Sequence, residues 1–136
     1  GKAEVVKEGS QISVWALGHT LGTAARAVEE LDKQGISARL INPRFIRPFD
    51  TELLADSVRR NLPIVTVEEN ALPGGFGSLV AEHAMELGHT AGILRIGLPD
   101  EFVPHGSQEE LRHMLKIDAE GIKERITSWL KTRHRP

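Results

Sequence analysis

Two adjacent carboxylates, Glu68 and Glu69, run through Asn70 into the glycine cluster Gly74-Gly75-Phe76-Gly77-Ser78. A pair of acids could move protons, and glycines opening a helix could present backbone N–H groups to a phosphate. The spacing restricts both chemistries. If the preceding strand persists, consecutive side chains leave on opposite faces, so the two glutamates do not converge on one substrate. Gly75-x-Gly77 is followed at the third position by Val80, where a dinucleotide fingerprint needs Gly or Ala, and no lysine follows as a phosphate loop requires. Two readings remain, a sharp corner that brings helix and strand close together or a partial anion site at the helix start. Glu69 is expected to be a hydrogen-bonded or interfacial group rather than a catalyst.

Arg44 is the other candidate. It follows Pro43 and precedes Phe45 on a stiff loop, where a guanidinium can fork onto a carboxylate or phosphate, or instead serve a structural ion pair or cap carbonyls. His19 and His105 fall in loops as polar contacts, and His83 falls on an apolar helix face. The histidines show no H-E-x-x-H spacing and the serines no G-x-S-x-G elbow, so neither a metal centre nor a self-contained hydrolase is indicated.

Alternation and periodicity supply the elements that must position these residues. Residues 3–7 and 11–17 flank Glu8-Gly9-Ser10, which predicts an antiparallel edge hairpin with Gly9 at positive φ. A helix starting at Leu21 ends at Gly35, and a strand spans 37–41. Asp50 caps a helix over 51–60, and Ile64 to Val67 form a buried strand. The next helix places Leu79, Val80, His83, Ala84 and Leu87 on one face and stops at Gly88. A strand follows at 93–96, a Ser107/Glu110 capping box starts another helix, and Asp118 caps the last, with the stripe Ile122, Ile126, Trp129 and Leu130. The alternation of strands and helices predicts a three-layer α/β/α domain, its mostly parallel mixed five-stranded sheet carrying one antiparallel edge strand. Ligands of such a sheet bind outside the carboxyl ends of its strands, so His19, Arg44, Glu69, Asn70 and the loop 97–100 should share one rim.

The chain has 136 residues, which suits one domain over 1–130 with a basic flexible tail at 131–136. A net charge of -2, from 17 basic and 19 acidic residues, argues against nucleic acid and anionic membranes as partners. The absence of cysteine removes disulfides and thiol chemistry and suits a reducing cytoplasm. No apolar run approaches a membrane span, and the start at Gly1 suggests a piece of a longer polypeptide.

Four segments together, LINPRFIRPFD (40–50), VTVEENALPGGFGS (65–78), LRIGLPDEFVPHGSQEEL (94–111) and KIDAEGI (116–122), resemble the C-terminal domain of the 1-deoxy-D-xylulose-5-phosphate synthases. The resemblance runs from Gly1 to Leu130, and the first two segments are similar to the wider family of transketolases and 2-oxo acid dehydrogenase beta subunits. It implies a parent enzyme dependent on thiamine diphosphate and magnesium that condenses pyruvate with glyceraldehyde 3-phosphate in isoprenoid precursor synthesis. That enzyme would be cytoplasmic, or plastid in a plastid-bearing source. The resemblance places cofactor and substrates between two earlier domains, the pyrimidine-binding and diphosphate-binding ones. It therefore implies no catalytic, cofactor or metal residue in this chain. Its role would be domain packing and homodimer assembly, with Arg44, Glu69, Asn70, Gly74, Gly75, Gly77, Ser78 and His19 as rim or interface elements. The alternatives are an anion- or nucleotide-binding regulatory module, or the matching domain of a transketolase or a dehydrogenase beta subunit.

Overall fold

A computed structural model describes residues 2–46, 49–71, 74–98 and 107–133. Strands β1 (Glu4–Lys7) and β2 (Ile12–Ala16) precede helix α1 (Thr20–Lys33), and β3 (Ala38–Asn42) leads to α2 (Thr51–Arg59). Strand β4 (Ile64–Ala71) feeds α3 (Phe76–Glu86), and β5 (Ile93–Leu98), α4 (Gln108–Met114) and α5 (Ala119–Arg133) complete the order. The sheet runs β1-β3-β2-β4-β5, parallel throughout except for β1, which pairs antiparallel with β3. This is the expected mixed five-stranded sheet with one antiparallel edge.

The expected β1–β2 hairpin does not form. β2 is buried at all five positions and has β3 on one side and β4 on the other, so it has no free edge to offer β1. β1 crosses to the open edge of β3 instead. Gly9 is not among the residues with positive φ. Its small size serves a close approach, because a Cβ there would lie 2.2 Å from the carbonyl carbon of Ala38.

Side-chain alternation along β4 divides the domain into two cores. Val65 and Val67 pack with Ala24, Val28 and Leu31 of α1 and Ile122 and Ile126 of α5. Ile64, on the other face, packs with Leu54 of α2 and Phe76, Val80 and Ala84 of α3. Complete burial of each larger side chain contributes roughly 1.5–3 kcal/mol, and these stripes fix the helices over the sheet. On α3 the buried positions are Phe76, Gly77, Val80 and Ala84, with Leu87 exposed. The apolar face thus starts a turn earlier than the periodicity implied and leaves out the last leucine. α5 extends through Arg133, so Lys131, Thr132 and Arg133 of the expected tail are helical, and the guanidinium of Arg133 lies 5.0 Å from the Trp129 ring centre. Residues 134–136 are outside the described part.

The amino ends of the strands are closed by a polar cluster. Trp15 Nε1 donates to Ser13 Oγ at 3.0 Å, and Ser13 shares a 3.0 Å hydrogen bond with Ser57. Arg39, buried beside them, donates to Asp56 at 2.8 Å. With these groups consumed in holding α2 to β2 and β3, the opposite rim carries the candidate site.

Candidate functional site

The rim is built by loops leaving the carboxyl ends of β2, β3 and β4. After β2, Gly18 takes φ 63° and His19 occupies the α1 N-cap without a side-chain cap bond. His19 is exposed; the polar anchor there is Thr20, whose hydroxyl donates to Leu17 O at 2.7 Å and sits 3.1 Å from Val67 O. After β3, Pro43 is buried and Arg44 stands in the left-handed region at φ 62°, a conformation that strains a non-glycine residue. Its N–H donates to Asn42 Oδ1 at 3.1 Å, and its guanidinium lies 5.7 Å from the Phe45 ring centre. Among the described residues that guanidinium has no ion pair. Phe45 and Ile46 beside it are 44% and 39% exposed.

β4 persists through both glutamates to Ala71, so they leave the strand on opposite faces. Glu68 shares its face with Ile64 and Thr66 and is fully buried. Its carboxylate accepts the N–H of Phe76 at 2.7 Å and of Gly77 at 2.6 Å, the first two residues of α3. The anion at this helix start is therefore the chain's own. Burial pushes the Glu68 carboxyl above the usual range, opposed by the Gly77 and Phe76 N–H groups and by the charge of Arg95. Arg95 itself donates to Ser78 Oγ at 2.9 Å. Gly77 must be glycine for this geometry, since a Cβ would fall 2.7 Å from Thr66 Oγ1 and 3.0 Å from Glu68 Oε2. Gly74 turns the chain at φ 72°, and Gly75 is the extended N-cap.

Glu69 faces the other layer. Arg112 of α4 sets Nε at 2.7 Å and Nη2 at 2.6 Å from its Oε1, with both side chains about one-third exposed. Neighbouring carboxylates on one strand thus tie two helices on opposite sides of the sheet. Asn70 lies in β4. Pro99 and Asp100 of the loop 97–100, and His105, lie outside the described residues.

Sequence reasoning brought Arg44, His19, Glu69 and the glycine turn to one rim and missed the partners. Glu68 was assigned no role, although its register with Ile64 and Thr66 already aims it at the face α3 must cover. Arg112 carried no signal, since its pairing spans 43 residues. The positive φ of Arg44 was equally silent.

A family model described as the transketolase C-terminal domain matches residues 1–122. The chain belongs to the transketolase C-terminal domain family. Two similar relatives are both named 1-deoxy-D-xylulose-5-phosphate synthase. The one from Thermomicrobium roseum is 44% identical over 99% of this chain, and the one from Acidobacterium capsulatum 43% identical over 100%. The chain spans 22% of the length of each. Among solved structures, one titled "Split gene transketolase, inactive beta4 tetramer" superposes with a TM-score of 0.82 at 31% identity, covering 93% of this chain and 40% of its own.

Among the described residues, the α3 start does not fit a diphosphate group with its magnesium. The N–H pair that could cradle a phosphate is occupied by Glu68, and no group of three or more His, Asp or Glu among the described residues is placed to hold a metal.

Proposed function

We propose that this chain is the non-catalytic C-terminal domain of a 1-deoxy-D-xylulose-5-phosphate synthase and serves that enzyme's assembly. The parent reaction would be the condensation of pyruvate with glyceraldehyde 3-phosphate with loss of carbon dioxide. Its thiamine diphosphate and magnesium would be held by the pyrimidine- and diphosphate-binding domains. One observation carries the domain's role: at the strand-to-helix corner Glu68 and Glu69 are bound to other parts of the same chain, whereas Arg44, Phe45 and Ile46 face outward. Acids so engaged serve structure, and an exposed cation beside two apolar side chains suits a protein surface that brings a carboxylate and apolar groups. The identity to synthases over nearly the whole chain, with only a fifth of their length present, supports reading that surface as a contact with the remaining domains or the dimer partner. The regulatory anion module is disfavoured by the occupied α3 terminus.

Turnover tests the division of labour. With pyruvate, glyceraldehyde 3-phosphate, thiamine diphosphate and magnesium, the 136-residue chain should form no product, and the full polypeptide that carries it should. Product from the chain alone would contradict the proposal.

A further inference from the structure

The helix α4 is seven residues long, and among the described residues its side chains tie it to the rest of the domain at two places. Arg112 reaches Glu69 at the end of β4. His113, the next residue, sets Nδ1 2.9 Å from Asp118 Oδ2, while the other oxygen of Asp118 accepts the Gly121 N–H at 2.8 Å and caps α5. The corner between the helices is tightly packed. Lys116 turns at φ 59°, a Cβ on Gly121 would lie 2.5 Å from the Lys116 backbone, and the Ile117 N–H donates to Arg112 O at 2.8 Å. Ile117 is buried in the core, whereas Met114 is 73% exposed. A polar cleft of about 620 Å³ separates α4 from α1. Arg26 faces it from α1, and Glu109, Glu110 and Arg112 from α4. Glu120 and Glu124 act on His113 from α5.

We propose that His113 and Asp118 form a pH-responsive latch that holds α4 to α5 and sets how firmly Arg112 occupies Glu69 at the carboxyl rim. The electrostatics agree with the geometry. His113 is raised above the usual imidazole value by its hydrogen bond to Asp118 and then by that carboxylate's charge; desolvation opposes them, and Glu120 and Glu124 add less. For Asp118, burial pushes upward, but the His113 hydrogen bond, the Gly121 N–H and the imidazolium charge together hold it below the usual carboxylate range.

Linkage fixes the sign. A raised folded value for His113 means its contribution is complete below the ordinary imidazole value of about 6.5 and is lost as pH rises through the raised value. A lowered value for Asp118 means its contribution holds above the ordinary carboxylate range and is lost as pH falls through the lowered one. The latch is closed between these limits and opens on the neutral-to-alkaline side when His113 gives up its proton. Among the described residues, Arg112 is then the remaining side-chain tie of α4 to the rest of the domain.

The latch is independent of any docking role for the rim, and its test uses neither turnover nor assembly. In the 136-residue chain, NMR gives the His113 titration midpoint, and hydrogen exchange, corrected for intrinsic rates, follows the α4 amides across it. The midpoint should lie above the usual value and return toward it in Asp118→Asn, which keeps a side-chain oxygen for the α5 cap. Exchange in α4 should rise about two- to fivefold across the midpoint, the range open to an exposed ion pair, with α5 around Ile122 and Ile126 unchanged. In His113→Gln the α4 rates should be flat at the higher level. An equal His113 midpoint in wild type and Asp118→Asn, or α4 exchange indifferent to His113 protonation, would overturn the latch.

Discussion

Glu68 takes the place at the α3 N-terminus that a bound phosphate takes in nucleotide-binding loops. Helix N-termini carry unsatisfied N–H groups and a partial positive charge, and a carboxylate two residues beyond the buried Thr66 supplies both an acceptor and a counter-charge. The substitutions follow from what each leaves behind. Glu68→Ala abandons two buried donors, at about 1–3 kcal/mol each, whereas Glu68→Gln keeps one carbonyl oxygen as acceptor and abandons one donor, so it should lose roughly half as much. Urea unfolding of the two variants checks this, and equal losses would count against the internal-anion account. Glu69 is a different case despite being adjacent. Its ion pair with Arg112 is one-third exposed, and solvent screening limits such a pair to at most about 1 kcal/mol.

At the level of elements, placement depended on which strand edges were free. Boundaries were readable because local chemistry sets them. Asp50 accepts the Leu53 N–H at 3.0 Å, Gly35 takes φ 81° after α1, and Asp118 caps α5, each as its residue type implied. The β1 partner was unreadable because sequence adjacency favours a hairpin, while the decision lies in β2 having both edges taken. Gly9 belongs to the same error. Its role is the contact with Ala38, so Gly9→Ala should displace β1 from β3 and cost about 1–3 kcal/mol through overpacking. Thermal unfolding reports the loss, and limited proteolysis should cut first near residues 4–8. An unaltered melting temperature would mean that the backbone gives way easily there. The rim itself was legible through the rule on strand ends, since it needs only the strand order in sequence. Arg112 was not, because no pattern in a single sequence announces a contact spanning 43 residues, and Glu68 was legible only through its strand register with Ile64 and Thr66.

Across the whole molecule the polar groups divide by purpose. The amino ends of the strands are closed by Ser13, Ser57, Arg39 and Asp56, and the carboxyl corner by Glu68 and Glu69. Arg44, Phe45 and Ile46 remain outward on a loop stiffened by buried Pro43, with Arg44 itself in the left-handed region. A surface pre-organised in this way loses little freedom on docking. The most direct measurement is sedimentation velocity with parallel kinetics on the full polypeptide carrying Arg44→Glu. The account predicts weakened assembly, with Kd for subunit association raised at least about tenfold, an effect of roughly 1.4 kcal/mol, and turnover per assembled enzyme unchanged. Intact assembly with turnover lost would contradict it, and would place the chemistry on this rim.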